Sequence, residues 1–322
     1  MRLSTMRSAD RLAAMVRYLL KRLAAAIPTL FIIITASFFL MRLAPGGPFD
    51  RAQRLPPEVS AHLDQAYGLD RPLIVQYGRY LSALAHGDFG PSFRYRDFSV
   101  SQLIAQGLPV TVELGTLALL LALGLGIPAG ILAALHRGTF TDRAVIAIAV
   151  LGIAIPAFVL LPALMLLFGL ELRWLPVAGF EPGSLRTLLL PVLVLALPPL
   201  AYIARLTRSG MLESLASNYV RTARAKGLSW RRVVLRHALR PALIPVAGFL
   251  TPAVASVMTG SLVVESIAGM PGIGRYLVQG ALNRDYTLVL GMVILYSSVL
   301  MATGLAADLL YSWLDPRIRL AR

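Results

Sequence analysis

Residues able to carry out chemistry are few in this sequence of 322 residues, and they lack the spacing that catalysis needs. There is no cysteine, so neither a disulfide framework nor a thiolate metal site can form. The four histidines are scattered without the spacing of metal ligands. No GxxxxGK(S/T) phosphate loop, GxSxG nucleophile elbow or HExxH zinc motif is present. We therefore expect no enzymatic activity, no metal site and no cofactor in this chain.

One stretch between two long apolar runs, residues 218–245, is strongly basic and reads NYVRTARAKGLSWRRVVLRHALRPALIP. We call this stretch the basic segment. Helical spacing predicts an apolar stripe on its first helix, formed by Leu212, Leu215, Tyr219 and Ala223. Gly227 is placed to end that helix in a left-handed turn. Ser229 can then cap a second helix that runs to about Arg240.

Two interpretations of the basic segment fit this pattern. A helix, a glycine turn and a second helix make an ordered surface that another protein could bind. Arginine-rich amphipathic helices also lie flat in the lipid interface. The residues alone leave both interpretations open.

The composition identifies a membrane protein, with 57% hydrophobic residues and a mean hydropathy of +0.70. The six predicted membrane-spanning helices are residues 23–41, 114–135, 144–170, 187–204, 242–264 and 287–307. The third of these is interrupted by Pro156 and Pro162. A basic start before an apolar run also describes a signal peptide, but this first run is longer than a signal core and no small-residue cleavage site follows.

These helices divide the chain into five parts. They are a cytoplasmic N-terminus (1–22), a first transmembrane helix (23–41), a small extracytoplasmic domain (42–106), a core of five transmembrane helices with a cytoplasmic loop at 205–241 (107–307), and a cytoplasmic tail (308–322). Small residues in the second helix, Gly124, Gly126 and Gly130, are expected to let helices approach closely.

The charges predict which side of the membrane each segment occupies. With the N-terminus inside, the inner segments hold 20 of the 31 basic residues and 5 of the 16 acidic residues. The outer segments are then neutral, as the positive-inside rule requires. We therefore expect both termini in the cytoplasm. The net charge of +15 is explained by topology, so binding to nucleic acid is not expected.

The predicted spans contain almost no ionisable residues, whereas ion-coupled carriers usually need such groups near the membrane midplane. Energy for transport would then have to come from a separate protein that binds the inner face. Internal prolines favour helices that line a path through the membrane. Polar candidates for that path are Thr251, Ser256, Thr259, Ser261, Ser297, Ser298 and Thr303. Each could equally hold helices together by hydrogen bonds.

The basic segment resembles the EAA loop of ABC importer membrane subunits, in which Glu-Ala-Ala is followed, after three residues, by glycine. Ala223 and Gly227 match the second alanine and the glycine, while Arg221 and Thr222 replace the glutamate and the first alanine. The resemblance implies an ATPase-coupling loop formed by Tyr219, Arg221, Thr222, Ala223, Arg224, Lys226, Gly227 and Leu228.

Other stretches are similar to the peptide/nickel branch of this family, and most closely to the B-type membrane subunit of bacterial oligopeptide importers. They are AIPTLFIIITASFFLMRLAPGGPF, AHGDFGPSFRYRDFSV, VVESIAGMPGIG with ALNRDY, and LDPRIR. The third stretch predicts an extracytoplasmic re-entrant loop containing Glu265, Pro271, Gly272 and Gly274.

The resemblance implies a type I importer fold, with the second to sixth spans as its core and the first span packed outside, in a bacterial inner membrane. The implied partners are membrane lipid, a second homologous permease subunit, an extracytoplasmic peptide-binding protein and two ATPase subunits that bind ATP and Mg. Two alternatives stay open, namely a permease of the same architecture for nickel or another small solute, and a stand-alone secondary carrier.

Overall fold

The computed structural model describes residues 8–43, 68–95 and 97–314, with isolated positions at 58, 62 and 65. Helices account for most of the described chain. An isolated bridge joins Pro91 to Ser99, and these ranges contain no β-sheet. The predicted all-α membrane architecture is therefore confirmed.

The helices follow one another along the chain with short connections. They are α1 Ser8–Leu43, α2 Leu73–Ala85, α3 Val100–Leu135, α4 Phe140–Ala154, α5 Ala157–Leu164, α6 Leu185–Ala216, α7 Asn218–Ala225, α8 Trp230–Arg232, α9 Leu239–Ala242, α10 Ile244–Ala268, α11 Ile273–Leu282 and α12 Tyr286–Leu314. A π-helical stretch, Met165–Glu171, extends α5, and another, Val233–Ala238, joins α8 to α9.

Among the described residues, five helices are long and apolar enough to cross a membrane: Leu20–Leu43, Val100–Leu135, Leu185–Ala216, Ile244–Ala268 and Tyr286–Ala306. The predicted third span differs from them. It consists of Phe140–Ala154 and Ala157–Glu171, which are bent by 101° at the break between them. Pro156 explains the break, because proline cannot donate a backbone hydrogen bond and forces the residue before it into an extended conformation. Six spans result if this bent pair crosses once.

Several helix ends differ from the sequence-based boundaries. Helix α3 begins at Val100, inside the predicted extracytoplasmic domain, and α6 continues to Ala216, inside the predicted cytoplasmic loop. Residues 1–7 and 315–322, at the two ends assigned to the cytoplasm, lie outside the described part of the chain. So do residues 44–57 of the predicted extracytoplasmic domain, and that domain stays a prediction.

The core forms where α3 crosses α6. A Cβ atom added at Gly126 would lie 2.9 Å from the Leu200 carbonyl oxygen, and one at Gly130 would lie 2.5 Å from that of Ala204. These two glycines therefore allow the backbones to touch, as predicted. Gly124 faces open space, so the prediction that it too serves close helix approach is wrong.

Helix α1 lies at the edge of the bundle and packs against α12. The C-terminal end of α1 packs against α2. Phe38 is fully buried, with its ring centroid 5.1 Å from Tyr77 and 5.8 Å from Tyr80. The Arg42 guanidinium lies 3.6 Å from the centre of the Phe38 ring and donates to Gln76 at 3.1 Å.

Candidate functional site

The basic segment folds as two helices joined by a glycine turn, which agrees with its sequence pattern. Ser217 is extended and separates α6 from α7. At the other end of α7, Gly227 adopts a left-handed conformation with φ +76°, and its N–H donates to the Arg224 carbonyl at 2.9 Å. Ser229 stands at the N-cap position of α8, but its side chain makes no capping hydrogen bond.

The buried face of α7 includes Ala223, as predicted, but not Tyr219. Val220 and Ala223 are buried, whereas Tyr219 is 46% exposed. The break at Ser217 changes the helical register, so the stripe that includes Leu212 and Leu215 does not continue through Tyr219. Helix α7 instead packs on a hydrophobic cluster that includes Ala134, Met211, Val233, Val234, Ala238 and Ala242. This cluster fixes the basic segment against α3 and α6.

The outer face of α7 and its turn is aromatic and cationic. Its exposed residues are Tyr219, Arg221, Thr222, Arg224, Lys226 and Gly227, with Leu228 half-buried beside them. Trp230, which the sequence did not suggest as a site residue, is 48% exposed and lies 5.3 Å from the Arg224 guanidinium carbon. Such cation–π contact orients both side chains on the surface. This face combines apolar area with positive charge in a fixed shape.

A second polar arrangement lies at the far end of α10, where the chain turns at Gly269 with φ +69°. Glu265 is fully buried in the last turn of α10. Its carboxylate accepts hydrogen bonds from the Thr111 hydroxyl at 2.7 Å, from the Gly274 N–H at 2.8 Å and from the Arg275 N–H at 3.2 Å. Glu265 thereby caps the start of α11 and joins it to α3 and α10.

The neighbouring glycines are needed for space. Gly272 has φ −93°, and Gly274 lies within α11, so neither uses a glycine-specific conformation. A Cβ atom at Gly272 would collide with the Glu265 carboxylate, and one at Gly274 would lie 2.7 Å from it. These two glycines therefore provide space for Glu265, most of the segment after Pro271 is helical, and the re-entrant character of this loop stays a prediction.

A buried aspartate holds residues 88–99 against the start of α12. Asp285 is 1% exposed and accepts from the Ser92 hydroxyl at 2.5 Å, from the Arg94 N–H at 3.1 Å and from the Leu288 N–H at 3.1 Å. Nearby, Tyr276 of α11 packs edge-on against Tyr95 at 5.8 Å, and burial raises the pKa of Tyr276 above its ordinary value. The sequence analysis did not identify Asp285 as the anchor of this aromatic stretch.

The predicted path residues occupy different environments. Ser256 and Thr259 are exposed, whereas Thr251, Ser297, Ser298 and Thr303 are half-buried and Ser261 is fully buried. Four of the hydroxyls donate within their own helix: Thr259 to Ala255, Ser261 to Met258, Ser298 to Ile294 and Thr303 to Leu300. That these residues line a translocation path stays a prediction.

Two protein-family models match this chain. The model of the binding-protein-dependent transport system inner membrane component matches residues 126–320. The model of the N-terminal part of such membrane components matches residues 15–115. The two matches together cover most of the chain.

Relatives of similar length are peptide permeases by name. The chain is 50% identical to the oligopeptide transport system permease protein OppB of Escherichia coli K12, over 95% of this chain and 100% of that protein. It is 43% identical to the dipeptide transport system permease protein DppB of Bacillus subtilis 168, over 95% of this chain and 99% of that protein.

A solved structure shares the fold. A chain of the MetNI methionine ABC transporter, in an inward-facing conformation, aligns with a TM-score of 0.53 and 19% identity. The alignment covers 67% of this chain and 97% of that chain. The predicted importer-type fold is therefore confirmed.

Proposed function

This chain belongs to the family of binding-protein-dependent transport system inner membrane components, and on that premise we propose that it forms half of the translocation path of an ATP-driven oligopeptide importer. The observation that carries the proposal is the 50% identity to an oligopeptide permease over 95% of the chain, together with the ordered surface of the basic segment. The second half of the path is a homologous permease subunit.

The energy for transport is supplied by two separate ATPase subunits, which bind ATP and Mg. The exposed face of α7 is the surface that one of them grips. Tyr219 and Trp230 provide apolar area, and Arg221, Arg224 and Lys226 provide positive charge for acidic positions on that partner. Because α7 is packed on the cluster around Met211, a force applied to this face reaches the bundle without first deforming a loop.

An extracytoplasmic peptide-binding protein delivers the cargo to the opposite face. With both termini in the cytoplasm, that face contains α11 and residues 88–99, which Glu265 and Asp285 hold in place. The two carboxylates give the delivery surface a defined shape before any partner binds. Cargo selection is then shared between the binding protein and the path.

The proposal is tested by purifying the chain from its native membranes through a C-terminal tag. Copurification of a second permease and of ATPase subunits is expected, and the reconstituted complex should import labelled peptide only when ATP is present. Unlabelled oligopeptides should compete with the labelled peptide, whereas nickel ions should not. A chain that transports peptide alone in liposomes would contradict the proposal and favour a secondary carrier.

A further inference from the structure

A bidentate ion pair joins α4 to α6 close to the basic segment. Arg208 donates through Nε to Asp142 Oδ1 at 2.6 Å and through Nη2 to Asp142 Oδ2 at 2.8 Å. The same carboxylate accepts from the Gly138 N–H at 2.9 Å. Asp142 is only 3% exposed. The guanidinium and the carboxylate therefore meet in a fork geometry in which Asp142 is buried and the Arg208 side chain is 25% exposed.

The backbone around this pair is tightly packed on the side of Asp142 and Thr207. The neighbouring Thr207 is fully buried, and its hydroxyl has no hydrogen-bond partner in the described part of the chain. A charge pair in such surroundings interacts more strongly than a surface pair, and removing one member leaves the other uncompensated. The pair is thus an all-or-none contact that a small displacement would break.

Helix α6 is rigidly held at the position of Arg208. A Cβ atom at Gly130 of α3 would lie 3.0 Å from the Arg208 backbone nitrogen, and one at Gly210 would lie 2.9 Å from the Ala242 Cα of α9. Backbone therefore packs on backbone on both sides of this part of α6. The same helix continues to Ala216 and is separated from α7 by Ser217.

On the other side of the pair, Asp142 lies in the first turn of α4. Helix α4 leads directly to the 101° bend at which α5 begins. A displacement of α7 would thus pass through α6 and Arg208 to Asp142 and would move the start of the bent pair. Apolar contacts between α4 and α6 can slide, whereas the two hydrogen bonds to Asp142 cannot slide without breaking.

We propose that Arg208 and Asp142 are positioning residues that transmit movement of the basic segment to the bent helix pair. The inference rests on the proposed function, because it assumes that an ATPase moves α7. It adds a specific route into the bundle, in which the Arg208–Asp142 pair links α6 to α4.

The test compares variants in the complete reconstituted importer, measuring ATP hydrolysis and peptide uptake in the same preparation. Arg208→Gln and Asp142→Asn should lower the ratio of uptake to hydrolysis by at least roughly fivefold, the low end of coupling effects between sites. The reversed pair, Asp142→Arg with Arg208→Asp, should recover part of that ratio. Arg208→Lys keeps the charge without the fork geometry and should fall between wild type and Arg208→Gln.

Arg143→Gln is the matched control. Arg143 lies next to Asp142 and donates to the Gly138 carbonyl at 3.4 Å, and within the described part of the chain it has no hydrogen bond or ion pair with α6. This variant should keep the wild-type ratio. If Arg208→Gln fails to assemble, the comparison of Arg208→Lys with Arg143→Gln decides the question.

An unchanged ratio in assembled Arg208 variants would overturn the inference, as would an equal fall of uptake and hydrolysis, which indicates a purely structural role. Neither result affects the proposed function. A wild-type chain that copurifies with no ATPase would instead contradict the proposed function itself.

Discussion

The Thr111 hydroxyl donates to the Glu265 carboxylate at 2.7 Å and accepts a hydrogen bond from the Ile273 N–H at 3.0 Å. One side chain of α3 therefore satisfies a buried acid in α10 and a backbone donor at the start of α11. The three helices meet at this hydroxyl, and the sequence separation of 154 residues between Thr111 and Glu265 makes the contact a constraint on the whole fold.

Replacing Thr111 with valine tests that constraint, because valine preserves the shape and removes both hydrogen bonds. We expect a loss of about 1–3 kcal/mol of stability, the usual penalty for leaving buried polar groups unsatisfied. Thermal unfolding of the purified complex measures it. Thr116→Val is the control, since Thr116 is exposed on the same helix; equal effects of the two variants would contradict this role for Thr111.

The close approach of α3 and α6 at Gly130 predicts that alanine substitutions at two glycines of α3 will change stability by very different amounts. Gly130→Ala should destabilise the protein by about 1–3 kcal/mol, because the added methyl group has no space against the α6 backbone. Gly124→Ala should have almost no effect, since nothing lies within 4 Å of the added atom. Expression level and melting temperature of the two variants distinguish them, and similar values would be inconsistent with this packing.

The left-handed conformation of Gly227 makes a specific prediction for coupling. Gly227→Val should strain the turn by about 1–2 kcal/mol, the cost of placing a side chain in this region. Because open space surrounds the position, the strain should alter the turn without disturbing the core. Uptake of peptide should fall relative to ATP hydrolysis. Gly227→Asn, which tolerates this conformation better, should stay close to wild type, and normal uptake by the valine variant would refute the coupling role.

Trp230 is expected to contribute to ATPase binding. Removing its ring eliminates a cation–π contact with Arg224, which is worth about 0.5–1 kcal/mol at exposed sites. Binding of the ATPase subunit by Trp230→Ala should therefore weaken roughly two- to fivefold, in a titration followed by ATPase stimulation. Leu235→Ala serves as the control because Leu235 is similarly exposed but lies outside α7 and its turn. Equal weakening in both variants would argue against a specific role for Trp230.

Asp285 should determine whether residues 88–99 stay ordered. Asp285→Ala removes the acceptor for Ser92, Arg94 and Leu288 together. Loss of the helix cap alone costs about 0.5–2 kcal/mol. Hydrogen exchange at Arg94 and Tyr95 should accelerate while exchange in α6 does not. Unchanged protection at Arg94 would show that aromatic packing suffices there.

The sequence predicted the features that depend on local chemistry. Apolar runs located the long helices, and Gly227 was correctly assigned to a left-handed turn, because both follow from residue types over short distances. The exact face of α7 was not predictable in the same way. A break at Ser217 shifts its register, and although serine is favoured at helix N-caps, it also occurs within helices, so its presence at this position did not establish a break.

The polar contacts within the bundle could not be predicted because each joins distant parts of the chain. Glu265 and Asp285 were placed in a polar loop, and Arg208 in a cytoplasmic insert. The structure instead buries the two carboxylates and pairs Arg208 with Asp142. A charged residue near the end of an apolar run can lie in solvent or pair with another side chain of the same protein, and the sequence alone does not distinguish the two.

The bent pair of α4 and α5 also decides whether the number of membrane crossings is odd or even. Helix α4 has 15 residues, a length of about 22 Å, which is shorter than the roughly 30 Å hydrocarbon layer. Five crossings would leave residues 8 and 314 on opposite sides, and the bent pair as one more crossing returns them to the same side. The pair broken at Pro156 thus has a consequence for every later loop, because losing this one crossing would invert the side on which the basic segment emerges.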